Sequence, residues 1–181
     1  LIIRSITEAS SRLAALETGE IDIAFAISPI DSEIVEKNEK LELISKPTTS
    51  TEYITLNTTK PPFDNKDYRL AINYALNKQG MADSVFMGMA QPATSIVNPN
   101  VFGFSKEVSG YEYNPEKAKE LIAKSGVKDP NFTLYCNDSA IRLQLAQIIQ
   151  ANLKDIGVDM KIETLEWGAY IQKTAQGEHT A

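Results

Sequence analysis

Asn57-Thr58-Thr59-Lys60-Pro61-Pro62-Phe63-Asp64-Asn65-Lys66-Asp67-Tyr68-Arg69-Leu70-Ala71-Ile72-Asn73-Tyr74-Ala75-Leu76, residues 57–76, joins an extended run to a helix through two consecutive prolines. A proline biases the residue before it away from the helical region, so Pro61-Pro62 forbids helix on its N-terminal side and fixes the exit angle of the preceding strand. Phe63 is placed to anchor the joint as an apolar side chain. Tyr68, Ala71, Ile72, Ala75 and Leu76 then recur at i, i+3, i+4, i+7 and i+8, one apolar face that predicts a sheet-covering helix over 67–78. Arg69 can pair with an acid or reach backbone carbonyls, and Asn57 can close its strand through a local turn hydrogen bond. The stretch contains no catalytic residue set.

Upstream, Leu1–Ile6 has the pattern of a short strand, and Ala9, Leu13 and Leu16 stand at helical spacing within 7–18 before Gly19. Ile21–Ile27 alternates apolar residues like a buried strand. Pro29 stops it and Asp31 can cap a short helix through Lys37. Leu41–Ser45 and Tyr53–Asn57 are further strand candidates, divided by a Pro/Thr/Ser loop.

Downstream, residues 88–113 are rich in glycine and proline and predict an irregular excursion. Asn114-Pro115-Glu116 combines a side-chain cap, a residue pre-set at helical φ and a carboxylate suited to the helix dipole, so a helix should start there and end at Gly126. Asn131–Cys136 predicts a strand. Asp138 is expected to cap a helix with an Ile141, Leu145, Ile148, Ile149, Leu153 and Ile156 stripe, which Gly157 ends before a strand over Val158–Leu165. Strand, long helix and strand in this order imply an α/β chain whose parallel or mixed sheet has helices packed on its faces.

The 181 residues suffice for one well-buried core, with 43% hydrophobic and 23% charged residues. A net charge of −6 supplies no basic patch for nucleic acid or for a membrane surface. No apolar run approaches the roughly 20 residues that span a bilayer. The chain opens at Leu1-Ile2-Ile3 without a start methionine or leader, as a segment of something longer would. Cys136 is the single cysteine, expected in a buried strand, so no disulfide forms within the chain.

Nucleotide, metal and triad chemistry all lack their residues. The glycines nowhere form GxGxxG or a GxxxxGK[ST] loop, and the one histidine, His179, leaves no HExxH or His/Cys cluster and is expected on a frayed surface end. The expectation is therefore no enzyme, no cofactor and no bound metal. Glu33/Glu36, Glu39/Glu42 and Glu163/Glu166 have the spacing of solvated faces. A carboxylate-dependent α/β hydrolase stays open as the alternative, since two acids could converge in three dimensions.

Several pieces, in order across nearly the whole chain, resemble one family. They are Leu16-Glu17-Thr18-Gly19-Glu20-Ile21-Asp22-Ile23-Ala24, Tyr53-Ile54-Thr55-Leu56-Asn57, Pro61-Pro62-Phe63-Asp64-Asn65, Arg69-Leu70-Ala71-Ile72-Asn73-Tyr74-Ala75 and Gly88-Met89-Ala90-Gln91-Pro92-Ala93. Tyr113-Asn114-Pro115-Glu116-Lys117-Ala118-Lys119-Glu120-Leu121-Ile122, Ala123-Lys124-Ser125-Gly126, Leu153-Lys154-Asp155-Ile156-Gly157-Val158 and Glu166-Trp167 complete the series. They resemble the extracytoplasmic solute-binding proteins of peptide/nickel ABC transporters, the oligopeptide- and dipeptide-binding group. The resemblance implies a periplasmic-binding-protein type II lobe. Residues 1–50 would be the approach from the first lobe, as strand, helix and strand, and 51–181 the core of the second lobe, truncated at its C-terminal end.

It further implies a peptide or similar small solute bound in an interlobe cleft and delivered to a membrane permease. The location would be periplasmic or extracellular, with any lipid anchor outside this chain. The same binding lobe could also serve sensing or adhesion. In the family the Glu-Trp pair sits near the cleft, its ring packing on bound ligand, so Trp167 heads the candidate ligand-binding residues, with core packing as its other reading. Tyr53 and Tyr170, near the same edge, and Asn57 complete the set. The resemblance also implies a glycine-aromatic-aspartate turn, where Thr180 stands in place of the usual aspartate, followed by an acidic segment that anchors a peptide's α-ammonium; neither that acid nor the opposing lobe is in this sequence.

Overall fold

The computed structural model describes residues 1–181. Helices α1 (Ala9–Glu17), α2 (Ser32–Lys37, after a 3-10 turn at Pro29–Asp31), α3 (Lys66–Ala75), α4 (Lys78–Val85) and α5 (Pro115–Ser125) precede β1 (Phe132–Asn137). Helix α6 (Ala140–Lys154), β2 (Met160–Leu165) and α7 (Trp167–Ala175) follow. The two strands are parallel, with Phe132 opposite Met160 and Asn137 opposite Leu165. Helix α6 is the crossover that a parallel pair requires.

The core begins at the double-proline joint. Phe63 is fully buried and meets the rings of Tyr68 (centroids 5.4 Å) and Phe132 (4.8 Å) edge-on. Around it gather Ile72 and Ala75 of α3, Ala118 of α5, Leu134 of β1, Ala146, Ile149 and Leu153 of α6, and Met160 of β2. Full burial of one such aromatic or aliphatic side chain contributes about 1.5–3 kcal/mol, so this cluster carries the fold. Arg69 takes its structural option: Nη1 donates to the carbonyl of Phe63 at 2.7 Å and ties α3 back to the joint.

Capping explains the helix boundaries. Asn65 Oδ1 accepts from Tyr68 N (3.1 Å) and Asn114 Oδ1 from Lys117 N (2.9 Å), while Gly126 ends α5 at φ +66°, where any side chain would be strained. The helix expected over 67–78 stops at Ala75. Leu76 is extended, and Asn77 Oδ1 accepts from Gly80 N at 2.9 Å to start α4, which the apolar stripe alone did not reveal. The residue ahead of α6 is Ser139 rather than Asp138, and it makes no side-chain cap bond.

The alternating runs 1–6, 21–27, 41–45 and 53–57 form no ladder. From Asp22 to Ile27 no backbone amide donates within the chain, and Ile23 and Phe25 are exposed. Their pattern is that of strands without a partner. Arg12 knits this part together instead, donating to the carbonyls of Ile6 (2.8 Å), Thr7 (2.9 Å) and Ala26 (2.7 Å). No residue of 1–50 belongs to the main core cluster, although Ile54 and Leu56 pack against it. No helix is long and apolar enough to cross a membrane.

His179 is not on a frayed end. The segment after α7 is held between the run ending at Asn57, whose N–H donates to the Thr180 carbonyl (3.0 Å), and β1, where Tyr135 N donates to the Ala181 carbonyl (3.0 Å). Successive carbonyls point to opposite sides in extended backbone, so one segment serves both neighbours. His179 itself is half-buried with Nδ1 enclosed and unpartnered.

Candidate functional site at the carboxyl edge of the sheet

The carboxyl ends of β1 and β2 coincide at the Asn137–Leu165 pair, and both strands deliver chemistry just beyond it. Past β2, Glu166 turns the chain into α7: its Oε2 accepts from Gly168 N (2.9 Å) and Ala169 N (3.3 Å). A Cβ on Gly168 would stand 3.0 Å from that oxygen, so the tight cap favours glycine there. This cap fixes the first turn and with it Trp167. The indole is 50% exposed, outside the core of this chain, and it stacks on Tyr170 one turn on, with centroids 5.7 Å apart and planes 15° apart. Ile171 beside them is also exposed. The pair is a flat amphipathic surface facing solvent.

Past β1, Arg142 in the first turn of α6 organises the edge. Its Nη1 donates to Asn137 Oδ1 (3.2 Å), and Nε and Nη2 donate to the Glu52 carboxylate (3.2 and 3.4 Å). Glu52 holds its neighbour Tyr53, an exposed side chain, at the same end of the sheet. The structure thus brings the Tyr53 segment and the Trp167–Tyr170 pair to one edge. Sequence reasoning missed Arg142. Its signal was available, since a cation in the first turn of a helix opposes the dipole and calls for a local reason.

Asn57 is engaged elsewhere. Its Nδ2 donates to the carbonyls of Gly177 (3.1 Å) and His179 (3.0 Å), and its Oδ1 accepts from Thr59 N (3.1 Å) and Thr59 Oγ1 (2.7 Å). The local turn bond expected of it is present, and the other bonds hold the segment leaving α7. Lys60 Nζ adds a bond to the Glu178 carbonyl at 2.8 Å.

Two open depressions, about 560 and 380 Å³, are lined by Ile34, Lys37, Asn38, Glu39 and Lys40, and by Ser84, Val85, Gln144, Gln147, Ile148 and Ala151. Neither contains Tyr53, Trp167 or Tyr170, and neither brings two carboxylates together as a hydrolase would need. Carboxylates pair at the surface instead, as in Glu33–Lys37, Glu116–Lys119 and Glu163–Lys173. No group of three or more His, Cys, Asp or Glu residues could hold a metal ion. The perturbed groups away from the edge are Tyr68, raised by burial and by the nearby Asp129 charge, and Lys78, lowered by burial.

Comparison with known proteins gives the family and the fold. The profile of the bacterial extracellular solute-binding proteins, family 5, middle part, matches residues 1–181. A probable di/tripeptide-binding protein 5 of Pseudomonas aeruginosa is 33% identical over 99% of this chain and 35% of its own length. The glutathione-binding protein GsiB of Salmonella typhimurium is 35% identical over 97% and 34% respectively. Among solved structures, the periplasmic binding protein DppA of Helicobacter pylori, in complex with the peptide STSA, superposes with a TM-score of 0.84 at 34% identity, covering 98% of this chain and 35% of that one. NikA of Brucella suis with Fe(III)-EDTA gives 0.84 at 26% identity, covering 97% and 39%. The fold is that of a periplasmic-binding-protein type II lobe. The chain spans about a third of the length of the relatives it matches.

Proposed function

This chain belongs to family 5 of the bacterial extracellular solute-binding proteins, and on that footing we propose that it forms one wall of an interlobe cleft that takes a peptide or similar small solute. The observation that carries the reading is the half-exposed Trp167, stacked on Tyr170 at the carboxyl edge of a parallel sheet. Solutes of open α/β sheets bind at that edge. A flat aromatic surface contributes contact area to varied peptides without demanding one side chain. Tyr53 joins this wall through the Glu52–Arg142–Asn137 bridge, whereas Asn57 supports it from behind. Neither of the two depressions described takes in the aromatic pair, as expected if the opposing wall is a second lobe.

Residues 1–50 then belong to the approach from that other lobe and residues 51–181 to the core of this one. The unpaired alternating runs support the division, because their backbone donors need a strand from outside. Closure of the lobes buries the solute, and the closed form delivers it to an ABC permease in the membrane, with no bond made or broken. The protein works outside the cytoplasm and is not an enzyme. The names of the di/tripeptide- and glutathione-binding relatives favour short peptides as the solute class.

A thermal-shift screen of the full-length protein with di- and tripeptides, glutathione and haemin tests this. A solute present at 100 times its Kd should stabilise the protein by about 2.7 kcal/mol. No change in melting temperature with any of them counts against the reading.

A further inference from the structure

The wall helix is held at its two ends, by the Glu166 cap and by the bonds on the segment that follows it, and not by the core. No side chain of α7 is buried, so its rotation about its own axis is not set by the core. Trp167, Tyr170 and Lys173 stand at i, i+3 and i+6, a row that winds about 120° round the helix from the solvent-facing indole to Lys173. Lys173 is the member that touches the sheet. Its Nζ lies 3.1 Å from Glu163 Oε1 and 4.9 Å from the centroid of the Tyr135 ring.

Tyr135 and Glu163 are register partners on β1 and β2, so their side chains stand together on the face opposite the buried Leu134. A single ammonium thus bridges both strands to the helix. The hydrogen bond to Glu163 also raises the ammonium's pKa above its ordinary value. The end of α7 is fixed in addition by Glu178 N, which donates to the Lys173 carbonyl at 3.0 Å.

We propose that Lys173, clamped between Glu163 and Tyr135, is a positioning residue that sets the rotation of α7 and so the direction in which the Trp167–Tyr170 pair faces. This rests on the reading of that pair as a solute wall. Lys173 touches no solute itself. Releasing it lets the helix turn further between its tethered ends, and the aromatic pair then spends part of its time turned away from the cleft.

The test uses full-length protein carrying Glu163→Gln, Lys173→Met, or the exchanged pair Glu163→Lys with Lys173→Glu. Acrylamide quenching of Trp167 fluorescence, taken as the difference from a Trp167→Phe background, needs no solute. Quenching should change in both single variants and return toward the parent value in the exchanged pair. Affinity for trialanine and glutathione should fall about threefold in the singles and recover in the exchange, with melting temperatures unchanged. Quenching identical in parent and single variants overturns the clamp. If the parent protein binds neither probe while quenching responds as expected, the clamp stands and the assignment of these solutes fails.

Discussion

Asn57 and His179 are 122 positions apart in the chain, yet the Asn57 amide donates to the His179 carbonyl at 3.0 Å and to that of Gly177 at 3.1 Å. The residue that closes the approach to the double proline thereby holds the segment leaving the wall helix. Removing it would leave two carbonyls short of a donor. Asn57→Ala should destabilise the protein by about 2 kcal/mol, measured by urea unfolding, and Asn57→Asp should not restore the loss, because a carboxylate has no hydrogen to donate. Unchanged stability in Asn57→Ala would show that the latch contributes nothing.

Asn65 joins two helix ends. Its Oδ1 caps α3 through Tyr68 N, and its Nδ2 donates to the Ser125 carbonyl at the end of α5 (3.0 Å). Asn65→Ala should cost about 1–2 kcal/mol, while Asn65→Asp, which keeps only the cap, should lose less. Equal losses would mean that the link to α5 dominates.

Tyr68 makes stability depend on alkaline pH. Its hydroxyl donates to the Pro130 carbonyl, and burial with the Asp129 charge raises its pKa above the unfolded value of about 10. Between those two pKa values the folded state holds a proton that the unfolded state has lost, so stability is fully present below pH 10 and falls as pH rises beyond it. The lowered pKa of Lys78 acts in the opposite sense over an overlapping range, but it is common to both proteins compared. Chemical unfolding from pH 8 to 11 should show a steeper decline for the parent than for Tyr68→Phe. Parallel curves would contradict the assignment.

The alternating run 21–27 should become a strand when the rest of the protein is present. Hydrogen exchange on the full-length protein should find amides 22–27 protected to an extent comparable with β1. Exchange at loop-like rates would place these residues outside any sheet and remove the proposed division near residue 50.

The sequence spoke clearly wherever the decisive physics was local. Asn114-Pro115 and Gly126 bracket α5, and the apolar stripe of α6 with the alternation of β1 foretold a strand, crossover and strand. It failed where a partner decides the outcome. The runs at 1–6, 21–27 and 41–45 have strand periodicity but no strand beside them, and Leu76 continued the helical stripe although the next cap, Asn77, had already ended it. At the edge of the sheet, Trp167 could be named from resemblance and Tyr170 from its position near it, and their stacking is compatible with i, i+3 spacing. The Arg142 bridge and the Lys173 clamp could not be read, because each depends on which strand lies opposite which.

The most direct test of the solute wall is isothermal titration of the full-length protein, parent and Trp167→Ala, with whichever of trialanine or glutathione shifts its melting temperature. Loss of the indole face should weaken binding about tenfold, or about 1.4 kcal/mol, with the melting temperature of the unliganded protein little changed. The same Kd in both proteins would contradict a role for Trp167 in holding the solute.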